Sequence, residues 1–179
     1  MLLSKLGAMS IGPLWVLRSN AGTQSGKMDA SACCPVCGQG WIESVGQDPT
    51  VLVVLPAPIT DPAQALLLKN CLKAAGWMDA GCVVLHVDCA ADTGNALQVL
   101  QTQIESDGPD TVIVFGHQAA RSISAELLPG QINACFGTRF VVTLHPEELI
   151  RDPLLKARLW ADLCLAKSAA VLHPRDEPA

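Results

Sequence analysis

From residue 51 onward the chain repeats one pattern four times: a short β-branched or aliphatic run, then a segment with helical spacing. The first run, Thr50-Val-Leu-Val-Val-Leu55, is apolar throughout and bounded by Asp48-Pro49 and Pro56, as a parallel strand buried on both faces must be. Asp61 then caps a helix with Pro62 in its first turn. Leu67, Leu68, Cys71, Leu72 and Ala75 fall near one face, and Gly76 ends it. Cys82-Val-Val-Leu-His-Val87 predicts a second strand, followed by Leu97, Leu100 and Ile104 at helical spacing up to Gly108-Pro109. Thr111-Val-Ile-Val-Phe115 predicts a third strand, with a helix over His117–Leu128. Arg139-Phe-Val-Val-Thr-Leu144 closes the series, followed by the turn His145-Pro146. The last helix is capped by Asp152-Pro153 and carries Leu155, Leu159, Leu163 and Ala166. Joined by right-handed crossovers, these units predict an α/β fold: a three-layer sandwich around a central, mostly parallel four-stranded sheet.

The rest of the chain is set against that core. With 179 residues and 50% hydrophobic content, it has enough apolar material for one domain with a real interior, which excludes a wholly disordered regulator. No apolar run approaches the roughly 18 residues of a membrane span. Gly12-Pro13, Trp15 and Arg18 interrupt the mildly apolar N-terminus before it forms a signal core. Five of the eight cysteines (Cys71, Cys82, Cys89, Cys135 and Cys164) fall in apolar or strand-like stretches, so a reducing, cytoplasmic setting is expected. A net charge of −5 with 12 Lys and Arg predicts little direct nucleic-acid binding. Four parts follow: a docking peptide over residues 1–18, a flexible Cys-containing linker over 19–50, the α/β domain over 51–167 and a polar tail over 168–179.

Cys34-Pro35-Val36-Cys37, with Cys33 beside it, has the spacing of half a zinc or iron–sulfur site. A closed site needs about four ligands, and no second Cys-x-x-Cys or His pair stands elsewhere. Cys71, Cys82 and Cys89 would have to leave the core to serve. The expectation is a loose thiol-bearing loop, with no metal and no cofactor. His145 follows the fourth strand, where parallel α/β proteins place ligands; its plainer role is to pair with a turn carbonyl. Gly116-His117 after the third strand is weak evidence of phosphate binding without further glycines. Asp61 is better explained by helix capping than by catalysis.

The segment Leu2–Arg18 is unusual, because Leu2, Leu3, Leu6, Met9, Ile11, Leu14, Trp15 and Leu17 are too apolar for a free tail. Burying an indole removes roughly 150–250 Å² of surface, worth a few kcal/mol, so Trp15 flanked by leucines is expected to be a docking anchor, the alternative being that the segment folds back over the protein's own core. Trp77 and Trp160 lie in or beside helices and are read as core or interface anchors.

Two nested resemblances bear on function. Pro109-Asp-Thr-Val-Ile-Val-Phe-Gly-His-Gln-Ala-Ala-Arg-Ser-Ile123, Val142-Thr-Leu-His-Pro-Glu-Glu-Leu-Ile-Arg-Asp-Pro-Leu-Leu-Lys156 and Trp160-Ala-Asp-Leu163 resemble the later motifs of uracil-DNA glycosylases, over about residues 50–165. That resemblance implies the same three-layer fold. It also implies a Gly-rich loop after the first strand, holding a water-activating acidic or amide residue, with an aromatic that stacks on a flipped base. Here that stretch is Leu55-Pro56-Ala57-Pro58-Ile59, with no glycine, no carboxylate before Asp61 and no aromatic; of the catalytic set only His145 is present. If Cys34 and Cys37 echo the iron–sulfur branch of that family, the downstream cysteines that complete the cluster are not evident.

The narrower resemblance is to the psi-subunit family of bacterial DNA polymerase III holoenzyme. It rests on the order Leu6-Gly7, Trp15-Val-Leu-Arg18, Leu52-Val-Val-Leu-Pro56, Thr60-Asp-Pro62, Val83-Val-Leu85, Lys156-Ala-Arg-Leu-Trp160 and His173-Pro-Arg-Asp176. It covers about residues 2–18, 51–87 and 150–176, and the longer 19–50 stretch with its three cysteines departs from it. The resemblance implies a glycosylase-like fold without the active site. Its N-terminal peptide would bind clamp-loader collar subunits, with Leu2, Leu6, Trp15, Leu17 and Arg18 in the docking segment. Its folded domain would bind the chi subunit, which in turn contacts single-stranded-DNA-binding protein. The expected function is a non-catalytic adaptor in DNA replication; the alternative is a divergent uracil-DNA glycosylase of base excision repair dependent on His145.

Overall fold

The computed structural model describes residues 31, 32, 34, 37, 42, 43, 51–88 and 96–171. Its centre is a five-stranded sheet. The strands are β3 (Val51–Leu55), β4 (Cys82–His86), β5 (Thr111–Phe115), β6 (Ile132–Cys135) and β7 (Thr138–Thr143), in the order β4-β3-β5-β7-β6. The first four in that order run parallel, with Val53 level with Val84 and Ile113, and Ile113 level with Val141. The fifth, β6, is antiparallel to β7. Two further strands, β1 (Ser31–Ala32) and β2 (Ile42–Glu43), form a separate antiparallel pair within the stretch expected to be a linker.

Because side chains alternate across a strand, each central strand feeds two apolar layers. Val51, Val53 and Leu55 of β3 point to one side, where Leu68 and Leu72 of α1 (Pro62–Ala75) pack. Leu149 of α5 (Pro146–Arg151) and Leu159 and Leu163 of α6 (Lys156–Val171) join them. Leu52 and Val54 point to the other side, against Leu100 and Ile104 of α3 (Ala96–Asp107) and Ala119, Ala120 and Ile123 of α4 (His117–Ile123). A short α2 (Trp77–Ala80) links α1 to β4, and Trp77 is buried, as expected of a core anchor. No helix among the described residues is long and apolar enough to cross a membrane.

The predicted four-stranded sheet is corrected to five strands. Ile132-Asn-Ala-Cys135 has one fully buried position, Asn133, with Cys135 half-buried beyond it, and the polar Asn133 side chain hides the strand from a hydrophobicity reading. The two-residue connection Phe136-Gly137 has positive φ at both positions, 49° and 73°, the conformation of a tight hairpin that pairs Cys135 with Thr138. The helix expected over His117–Leu128 stops at Ile123, since Ser124 is extended and its hydroxyl caps the amide of Glu126. Pro146–Arg151 is a helix rather than a simple turn, and a 3-10 turn over Pro153–Leu155 precedes α6.

Candidate functional site

In an open parallel sheet, ligands bind at the C-terminal strand ends where the strand order reverses. Here β3 connects outward to β4, and the next crossover returns to β5 on its other side, so the reversal lies between the ends of β3 and β5. The loop after β3 supplies Pro56, Ala57, Pro58, Ile59 and Thr60, none of them titratable. Its backbone is tied down, with Pro56 O accepting from the Asp88 amide at 2.9 Å. Asp61 beyond it caps α1, its Oδ1 accepting from the Ala63 amide at 2.9 Å, and Gly76 ends that helix in the left-handed conformation, both as the sequence predicts.

Across the crevice, Gly116 takes φ 93° and lets β5 turn into α4. Its amide donates to Thr143 O at 2.8 Å, and a Cβ at this position would meet His145 Cβ at 3.4 Å. That role in the backbone accounts for the glycine without a phosphate. His145 is half-buried and serves as the N-cap of α5. Its Nδ1 accepts from the Glu147 amide at 3.3 Å, while its own amide donates to Glu148 Oε1 at 2.9 Å, closing a capping box. The expected partner of the imidazole was a turn carbonyl; the observed one is an amide N–H. Burial lowers the His145 pKa, against the pull of Glu147 and Glu148, so the ring favours its neutral, accepting form. Glu147 Oε1 meets Arg151 Nη2 at 2.7 Å on the exposed face of α5.

A second polar group sits deeper. Thr143, the last residue of β7, donates from Oγ1 to Asp162 Oδ2 at 2.8 Å, and both side chains are buried. Burial raises the Asp162 pKa, opposed by the Thr143 hydrogen bond and by Arg158. A shallow depression lined by His117, Gln118, Arg121 and Ser122 lies along the face of α4.

The third constellation joins segments far apart in sequence. Cys34 follows β1, Cys37 lies in the turn before β2, and His86 ends β4 at the edge of the sheet. The ligating atoms of Cys34, Cys37 and His86 all lie within 4.8 Å of one another, with Cys37 Sγ 3.4 Å from His86 Nδ1. Cys34 and His86 are wholly buried, and Cys37 is exposed. Cys34 therefore does not sit on a loose loop: it packs in the same apolar layer as Leu52, Leu85 and Val87. Burial lowers the His86 pKa, and its Nε2 is buried without a hydrogen-bond partner.

The other described cysteines stay apart from this group. Cys82 is buried on the opposite side of the sheet and Cys71 packs against that same layer; burial pushes their thiols up to about 12 and about 11. Cys164 is exposed on α6. His86 was read only as part of a strand, yet the signal was present: His86-Val87-Asp88-Cys89 repeats the two-residue spacing of Cys34-Pro35-Val36-Cys37. Leu2, Leu6, Trp15, Leu17 and Arg18, together with Cys33 and Cys89, lie outside the described residues. No family model and no curated relative matches this chain.

Proposed function

We propose that the chain is a non-catalytic, psi-like adaptor of a bacterial DNA polymerase III holoenzyme, acting in the cytoplasm. In this reading residues 1–18 dock on collar subunits of the clamp loader through Leu2, Leu6, Trp15, Leu17 and Arg18. The α/β domain, glycosylase-like in fold, holds the chi subunit and through it single-stranded-DNA-binding protein. The observation that carries the reading is the crevice between β3 and β5, where the loop of residues 56–60 presents no titratable acid or base and no polar side chain but the Thr60 hydroxyl. Of the titratable groups that follow these strands, Asp61 and His145 serve as helix caps and Glu148 accepts from the His145 amide.

Binding through the peptide follows from simple physical terms. Ordering a peptide costs chain entropy, and burial of the indole and the leucines opposes that cost. Tethering the folded domain to the docked peptide raises the local concentration of chi at the loader.

The test is a titration of the full-length chain onto reconstituted clamp-loader collar and onto chi. Trp15→Ala is expected to weaken collar binding by about thirty-fold or more, the size of an anchor worth about 2 kcal/mol, while chi binding and the circular dichroism of the domain stay unchanged. Equal collar affinity for the wild type and the variant would overturn the role of the peptide. Uracil excision from a single-stranded oligonucleotide, lost on His145→Ala, would overturn the reading in favour of a divergent glycosylase.

A further inference from the structure

We propose that Cys34, Cys37 and His86 hold a zinc ion that fastens the β1–β2 segment to the end of β4. The geometry is that of a coordination shell. With Zn–S of about 2.3 Å and Zn–N of about 2.0–2.1 Å, a tetrahedral ion separates a sulfur from a nitrogen by about 3.6 Å. Cys37 Sγ and His86 Nδ1 stand 3.4 Å apart, and the Cys34 sulfur completes a triangle with no edge above 4.8 Å. Such convergence is not forced by the local chain, since His86 arrives from a different element, 49 residues beyond Cys37.

The surroundings suit the ion. Two thiolates balance the double charge of zinc and neutral imidazole adds none, so the filled site carries no net charge into the low-dielectric interior. Both thiols release their protons to solvent as the ion enters, and Cys37 opens on that solvent. A buried imidazole is ordinarily hydrogen-bonded; among the described residues His86 has no partner at Nε2, and what faces Nδ1 is the Cys37 sulfur, the arrangement of a metal held at Nδ1. The single imidazole also favours zinc over an iron–sulfur cluster, because most clusters are held by cysteine thiolates alone and the Rieske type takes two imidazoles.

A structural reason for the ion is equally plain. Strands β1 and β2 have two residues each, too few to hold a hairpin in place by apolar burial, and β1 lies against β4. A metal tie supplies the stability that so small an element lacks. Solvent, open to the site beside the exposed Cys37, completes the tetrahedron.

The test uses the full-length chain purified without an affinity tag. Elemental analysis is expected to find about one zinc per chain, and replacement by Co²⁺ to give d–d absorption with a thiolate-to-cobalt charge-transfer band. Cys37→Ser is expected to lower cobalt affinity by more than about a hundred-fold, beyond the loss caused by a merely supporting neighbour. Cys164→Ser is expected to leave the affinity unchanged. His86→Cys guards against a simple folding defect: it is expected to retain cobalt with a stronger charge-transfer band. Iron with inorganic sulfide in place of zinc would overturn the assignment, as would a metal-free chain with no cobalt spectrum, whether or not Cys34 and Cys37 form a disulfide.

Discussion

Gly116 combines φ 93° and ψ 140°, a region essentially closed to side chains, and its missing Cβ leaves room for His145. Gly116→Ala is expected to destabilise the domain by about 1–3 kcal/mol, read by urea denaturation, because both the backbone and the His145 cap must shift. Asp162 makes a different demand. Its buried carboxyl has a pKa raised above the ordinary Asp value, so the folded state prefers the protonated form. Stability from this group is fully present below the unfolded value and is lost as pH rises through the raised one. Asp162→Asn, which keeps an acceptor for the Thr143 hydroxyl, is expected to remove that loss and flatten the pH dependence of denaturation between acid and neutral pH. A variant that retains the wild-type slope would assign the slope to another group.

The helices whose ends carry explicit chemical signals were legible as elements. Asp61 with Pro62 marks the start of α1 and Gly76 its end, because a cap and a left-handed stop are written in single residues. The four parallel strands were equally readable: Val112, Val114 and their neighbours are buried on both faces, so each strand centres on an apolar run with its polar residues towards the ends. By contrast, β6 was hidden because its one fully buried residue, Asn133, is polar. Asn133 spans the loop before it: its Oδ1 accepts from the Leu128 amide at 3.0 Å, and its Nδ2 donates to Leu128 O at 2.9 Å. Asn133→Ala removes both part-buried hydrogen bonds to the Leu128 backbone and is expected to cost about 1–3 kcal/mol in equilibrium unfolding. A loss below a few tenths of a kcal/mol would mean that solvent replaces the amide. The metal-ligand triad was half legible: the two cysteines announce themselves, whereas His86 takes its meaning only from the register that brings the end of β4 to them.

At the scale of the whole molecule, the two faces of the sheet divide the chemistry. One side holds Cys71 and Cys82 as inert, apolar thiols; the other receives Cys34, whose neighbours Cys37 and His86 make it a ligand rather than mere filling. Among the described residues the crevice between β3 and β5 holds no comparable set, and the adaptor proposal accordingly puts recognition in the peptide of residues 1–18 and on the outer surface of the domain. The strand order carries one more consequence, for the birth of the chain. The first strand of the large sheet to leave the ribosome, β3, ends up between β4 and β5, and β5 in turn waits for β7. The parallel strands therefore dock through contacts remote in sequence, with the β6–β7 hairpin alone in the large sheet pairing locally, and such topologies fold slowly. Until Thr138–Thr143 emerges, the nascent domain presents β5 as an open flank, and a nascent-chain chaperone has its longest task there.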